Sequence, residues 1–315
     1  MRTLALIRWE LVQAARAAAP HVALTLAGLA STGLVAGGVF LLDLWSPFPA
    51  TVNAVTTVVR TSSSTAPALS SVIGEHRGGV AYFVLLVWFT IIAVIVGPAL
   101  TAGALVRDRQ SGRLDRLLAD ASRSDAVVLA KLCAGLVPLL LVLAGGSPSL
   151  SFAWLVGGLA SQEAVAGGLV LLATIVLIVA VALVCSAAAT TEVAALVSSY
   201  LVLGTILVGP LVGGAALVLA GLRAPASALL AVDPLVALLS AQSRLASGLA
   251  GTVLADLLSP RQALAIGKTT APMWAADVLL YLVVASVLVW LASVIVEPLH
   301  PVKTWRLRRS DGEGR

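Results

Sequence analysis

Long apolar runs without a single charge alternate with short polar stretches along this chain. Val22 to Leu42 is 21 uncharged residues and Val80 to Val106 is 27. At 1.5 Å per residue, about 20 apolar residues cover a bilayer's hydrocarbon core, so each run predicts a spanning helix. The second, at 27 residues, is long enough to tilt or protrude. No charge occurs from Leu132 to Gln162, but Gly145-Gly146-Ser147-Pro148-Ser149 lies inside that run and is expected to kink or break a helix. The 13 residues before it are short for a crossing, which sets the third span at about 127–157. Ala164 to Ser186 is the fourth, and the turn SAAATTE leads into a fifth at about 193–221. The predicted spans are thus 22–42, 80–106, 127–157, 164–186, 193–221 and 276–297.

The segments between them differ in character. Leu4, Ile7, Leu11 and Ala15 form one helical stripe, with Arg2, Glu10, Gln13 and Arg16 largely off it and Trp9 suited to a headgroup boundary. Residues 1–20 therefore read as an amphipathic helix in the interface. The run after it is too long for the apolar core of a cleaved leader, so the first span is expected to be retained. Residues 45–79, with TSSST, read as an extramembrane loop. Residues 222–274 carry Arg223, Asp233, Arg244, Asp256, Arg261 and Lys268 among apolar stretches too short to cross. They read as an external helical segment, with a re-entrant segment as the alternative.

Composition agrees with this pattern. Hydrophobic residues make up 59% of the 315, charged residues 11%, and mean hydropathy is +1.04; soluble chains have ~45–50% and ~25%. The fold class expected is all-α: a polytopic membrane protein of six transmembrane helices, forming a single domain over 1–315. The sequence pI of about 9.8 does not point to nucleic acid, because basic residues of membrane proteins collect in cytoplasmic loops. Six spans put both termini on one side. The termini and residues 107–131 hold 14 of the 20 Lys and Arg; Arg60, Arg77, Arg223, Arg244, Arg261 and Lys268 fall on the other side. Both termini are therefore expected in the cytoplasm of a multi-pass cell-membrane protein. Cys133 and Cys185 lie in apolar runs and read as small buried hydrophobes. They share no disulfide or metal spacing.

Charge is concentrated in one connector, VRDRQSGRLDRLLADASRSDAVVLAK at 106–131, with ten charges. Leu114, Leu117, Leu118 and Ala121 recur at helical spacing, and Arg113, Asp115, Arg116 and Asp120 take other faces. Ser111-Gly112 supplies a turn, and Ser124 with Asp125 suits the start of the next span. The expected shape of 107–124 is a span end, a turn, a short amphipathic helix and the next span. So short a helix must rest its Leu face on the bundle or on a partner; a plain solvated loop is the simpler reading of composition alone.

Arg107-Asp108-Arg109, Gly112, Leu114-Asp115, Leu117-Leu118 and Lys131 resemble the cytoplasmic signature of ABC transporter permeases of the type-2 export family. The chain departs at Arg113, where Thr is common, and at Ala121, where Pro often follows the Leu pair. SAAATTEVAALVSSY similarly looks like the family's turn between spans four and five. The resemblance implies a permease that pairs with a second copy or a relative and docks on a separate ABC ATP-binding subunit through this short coupling helix. Arg107, Asp108, Arg109, Gly112, Leu114, Asp115, Leu117 and Leu118 would be the ATPase-coupling residues. ATP and Mg would bind the partner, with no cofactor on this chain and the lipid bilayer as its surroundings.

Other chemistries find less support. IGKTT at 266–270 resembles a P-loop ending, but Gln262 stands where Gly is needed and no strand pattern precedes it. An ion-gradient-driven carrier usually needs ionisable residues within the membrane. The span centres have none, and Asp43, Glu192, Asp277 and Glu297 sit at span ends, where interfacial anchoring is expected. An intramembrane enzyme is disfavoured because His21, His76 and His300 share no ligand spacing. The serines of QSGR and LASGLAG also lack a nucleophile elbow.

Overall fold

The computed structural model describes residues 77–114, 117–118, 124–156, 159–243, 263–266 and 269–297, with Arg8 and Val12. Arg8 and Val12 are helical and exposed. The rest of the expected interfacial helix, the span 22–42 and the loop 45–79 lie outside the described residues. The elements are α1 (Arg77–Thr101), α2 (Ala104–Gln110), α3 (Ser124–Val156), α4 (Ser161–Ala188), α5 (Glu192–Leu219), α6 (Arg223–Leu230), α7 (Pro234–Ser240), β1 (Ala263–Ile266), β2 (Thr269–Pro272) and α8 (Met273–Val296).

Among the described residues five helices are long and apolar enough to cross a membrane: α1 continued through α2, then α3, α4, α5 and α8. The chain is a polytopic, membrane-embedded helical protein. α4 is the hub, packed by α1, α3, α5 and α8. Its Val170, Ile175, Ile178, Val179 and Leu183 share one core with Leu85, Leu86 and Phe89 of α1, Leu139 and Val142 of α3, and Ala285 and Ala292 of α8. Lipid tails are as apolar as these side chains, so the helices are held by close packing rather than by expulsion from water. Glycines permit the approach. A Cβ on Gly97 would lie 2.9 Å from Ile178, one on Gly167 2.6 Å from Leu86, and one on Gly135 would strike Thr101. Polar side chains inside the bundle close onto their own helices, as in lipid they must. Thr90 donates to Leu86 O, Thr174 to Val170 O and Ser199 to Ala195 O.

Where a kink or a break was expected, α3 is a single helix through Gly145–Ser149. Pro148 has no N–H to give to the carbonyl four residues back, Ala144 O. The Ser147 hydroxyl donates to that same oxygen at 2.8 Å, and Ser151 donates to Ser147 O at 3.1 Å. Gly146 is needed there for space, since a Cβ would collide with the Phe89 ring. The stretch that reads as punctuation is a packing site within a helix.

Residues 222–274 contain α6, α7, whose Ala237 and Leu238 are buried in the main core, and a strand pair. β1 and β2 are antiparallel, with Ile266 opposite Thr269 and Ala263 opposite Pro272. Only Gly267 and Lys268 separate them in the sequence. The P-loop ending considered above thus falls across a hairpin instead of between a strand and a helix.

Two ends of the bundle can be told apart. At one, Tyr82 donates to Ala164 O and Gln242 to Glu163 O, joining α1, α4 and the residues after α7. At the other, α2 meets the end of α4 and the beginnings of α3 and α5; this is the connector end.

Candidate functional site

The connector end is built around α2. Gly103 offers no side chain to cap this short helix, so its first amides would be unpaired. Ser186, fully buried in the last turn of α4, supplies the missing acceptor: its Oγ takes N–H bonds from Leu105 at 3.1 Å and Val106 at 3.4 Å. These amides are the ones an N-cap serine would serve from within the helix. Here it acts across the bundle.

The other end of α2 is tied to the same neighbour. α4 ends at Ala188, leaving its last carbonyls without helical donors and with partial negative charge. Arg109 reaches one of them and the carbonyl just past the helix, donating from Nη2 to Ala187 O at 2.8 Å and from Nη1 to Ala189 O at 3.1 Å. Gln110 donates to Thr190 O at 3.2 Å. Arg107 Nε lies 3.2 Å from Glu192 Oε1 at the start of α5, an exposed ion pair. That start is capped by Thr191, whose Oγ1 accepts from Ala194 N.

Asp108 faces inward. It is 6% exposed, and Lys131 Nζ of α3 lies 2.7 Å from its Oδ2, with both side chains about nine-tenths buried. Arg113 Nη1 is 3.9 Å from the other carboxylate oxygen. Helix α2 thus presents Asp108 to α3, Arg107 to α5 and Arg109 to α4.

Beyond α2 the chain turns at Gly112, whose φ of 65° is a left-handed value that side chains disfavour. Arg113 and Leu114 are helical, as are Leu117 and Leu118. Leu114 is buried in the main core and the Leu pair packs against it. The expected turn and the seated Leu face are therefore present, while Asp115 lies outside the described residues. The residues expected to form one docking strip divide in two. Arg107, Asp108 and Arg109 are engaged in the bundle's own contacts, Asp108 buried and the two arginines exposed, and Gln110, Ser111 and Gly112 form an exposed crest between them and Leu114.

Ser186 escaped the sequence reading altogether, since a serine in an apolar run carries no signal of a cap eighty residues away. Two further residues differ from expectation. Asp277, expected at the interface, is 5% exposed in the first turns of α8, and its Oδ2 has no hydrogen-bond partner. Asp233 is fully buried; Oδ1 caps α7 by accepting from Leu235 N at 2.8 Å and Val236 N at 3.4 Å, while Oδ2 has no hydrogen-bond partner. Burial pushes the Asp233 carboxyl up to about 6, against the opposing pull of those two amides. Tyr281, one turn beyond Asp277, donates to Val232 O at 3.1 Å.

Among the described residues no group of three His, Cys, Asp or Glu side chains is placed to hold a metal. Comparison of the chain with protein-family models, with curated proteins and with solved structures finds no match.

Proposed function

We propose that this chain is the membrane-spanning permease subunit of an ATP-driven ABC exporter. It forms the substrate pathway with a second copy or a related permease and couples to a separate ATP-binding subunit, which would carry ATP and Mg. The connector 107–124 faces the cytoplasm in this reading, as do both termini. The observation that carries it is the connector's construction. A loop that merely trails charge into water needs no buried ion pair, no cap borrowed from another span and no seated leucines. A segment that must bear force from a soluble partner needs all three. Its exposed crest, Gln110 to Gly112, and the polar faces of the stretch after it are what a partner would grip, fixing register through charge complementarity.

The test is purification of the full chain from its native membrane. A P-loop ATPase should co-purify and be lost, or be uncoupled, on replacing Asp115 and Leu118 together. A Ser111→Cys variant should react with a membrane-impermeant thiol reagent from the cytoplasmic side only. Reaction from the exterior, or a chain that purifies alone and is unaffected by the double replacement, overturns the proposal.

One observation favours a second reading, an ion-gradient-driven carrier. Asp277 is an ionisable group buried inside a span with an unpaired oxygen, and such groups are costly unless they serve a purpose. A carrier would work without an ATPase and would respond to an imposed ion gradient when reconstituted alone.

A further inference from the structure

We infer that Arg109 is a positioning residue that locks the connector to the turn between α4 and α5, so that a displacement of the connector is delivered to those two spans as a unit. This goes beyond the proposed function and rests on it. α2 is pinned at both of its own ends to the end of α4 and the turn that follows it: Ser186 holds Leu105 N and Val106 N, while Ala187 O, Ala189 O and Thr190 O are held by Arg109 and Gln110. A short helix fixed at both ends to one neighbour cannot slide along it. It can only carry that neighbour with it.

The acceptors on α4 are backbone carbonyls at a helix C-terminus, where a cation is favoured. A guanidinium bridges two of them in one plane, which the point charge of lysine cannot do. Arg107, reaching Glu192, extends the tie to the first turn of α5. The link to α3 is of another kind, the inward Asp108–Lys131 pair. Among the described residues α8 makes no hydrogen bond or ion pair with α2. Arg109 is an exposed residue, yet its guanidinium is engaged with the bundle's own carbonyls.

The experiment uses the full chain in native membrane vesicles together with whatever ATP-binding subunit accompanies it. An environment-sensitive fluorophore is placed on Ala188→Cys, an exposed position at the end of α4, with Cys133 and Cys185 replaced by alanine. Mg-ATP is expected to shift its emission in the otherwise unchanged chain. Arg109→Gln should abolish the shift while the ATP-binding subunit still co-purifies, and Arg109→Lys should restore only part of it. If Arg109→Gln keeps the full shift, or loses the ATP-binding subunit, Arg109 is no such tie and the inference is overturned with the proposed function intact. If no ATP-binding subunit accompanies the unsubstituted chain and Mg-ATP leaves emission unchanged, the proposed function fails and this inference with it. Should Arg109→Gln not accumulate, Gln110→Ala, which removes one of the three bonds, is read the same way: a reduced shift supports the tie and an unchanged one overturns it.

Discussion

Removing one member of the Asp108–Lys131 pair is the sharpest perturbation of the connector end. With Nζ 2.7 Å from Oδ2 and both side chains about nine-tenths buried, an effective dielectric of ~20 gives roughly 6 kcal/mol of direct attraction. Much of that offsets the cost of taking the charges out of water, so the net worth of the pair is small. Breaking it costs more than it contributes, typically about 3–5 kcal/mol, because the remaining charge keeps its desolvation penalty. Asp108→Asn and Lys131→Met should each destabilise the chain by about that much. Lys131→Met should sit at the lower end, since Arg113 is already 3.9 Å from the carboxylate. The double variant removes both penalties and should lose far less than the sum, with a coupling of about 2 kcal/mol or more. Unfolding of the detergent-solubilised chain can be followed by thiol-reactive dye, since Cys133 and Cys185 are both partly covered by neighbouring helices. Single variants that are each nearly neutral, or that add to within about 0.5 kcal/mol, would show that the pair is not the anchor its geometry indicates.

Three other outcomes are expected. Asp233 holds its proton more tightly when folded, at about 6, than at its ordinary 3.8; its contribution to stability is therefore greatest below pH 4 and is lost as pH rises toward and through 6. Asp233→Asn, which keeps a capping oxygen, should flatten that part of the curve of melting temperature against pH; an unchanged slope refutes the assignment. Ser186→Ala should cost about 1–2 kcal/mol, as loss of a helix cap does, and hydrogen exchange should quicken at Leu105 and Val106 while the middle of α4 stays protected. Gly146→Ala forces a methyl into the Phe89 ring and should cost about 1–3 kcal/mol as overpacking does. Phe89→Leu should relieve it, and a Gly146→Ala variant as stable as the parent would contradict the packing.

The membrane character of this protein was legible in the sequence because it depends on something local: an uncharged run either is or is not long enough to cross a bilayer. Among the described residues five helices, α1 with α2, α3, α4, α5 and α8, have the length and composition to cross a membrane, and they overlap the apolar stretches 80–106, 127–157, 164–186, 193–221 and 276–297. Their limits differ chiefly where caps and turns decide the end; the charged Arg107–Gln110 continues the helical path of α1 because Ser186 and Arg109 anchor it. The Gly112 turn and the Leu114, Leu117, Leu118 face were readable for the same local reason, spacing on a short segment. What tertiary structure alone decided is where each polar group finds its partner. Gly145–Ser149 reads as a kink or a break until Ser147 is seen to serve the carbonyl that Pro148 leaves open and Phe89 to occupy the space beside Gly146. Arg107-Asp108-Arg109 reads as part of one docking strip until three successive residues of a helix, about 100° apart, are seen to reach three different spans. Asp277 reads as an interfacial anchor until packing covers it. Hydropathy sums along a chain, whereas hydrogen bonds and ion pairs are settled between residues eighty apart, and only the folded bundle brings those together.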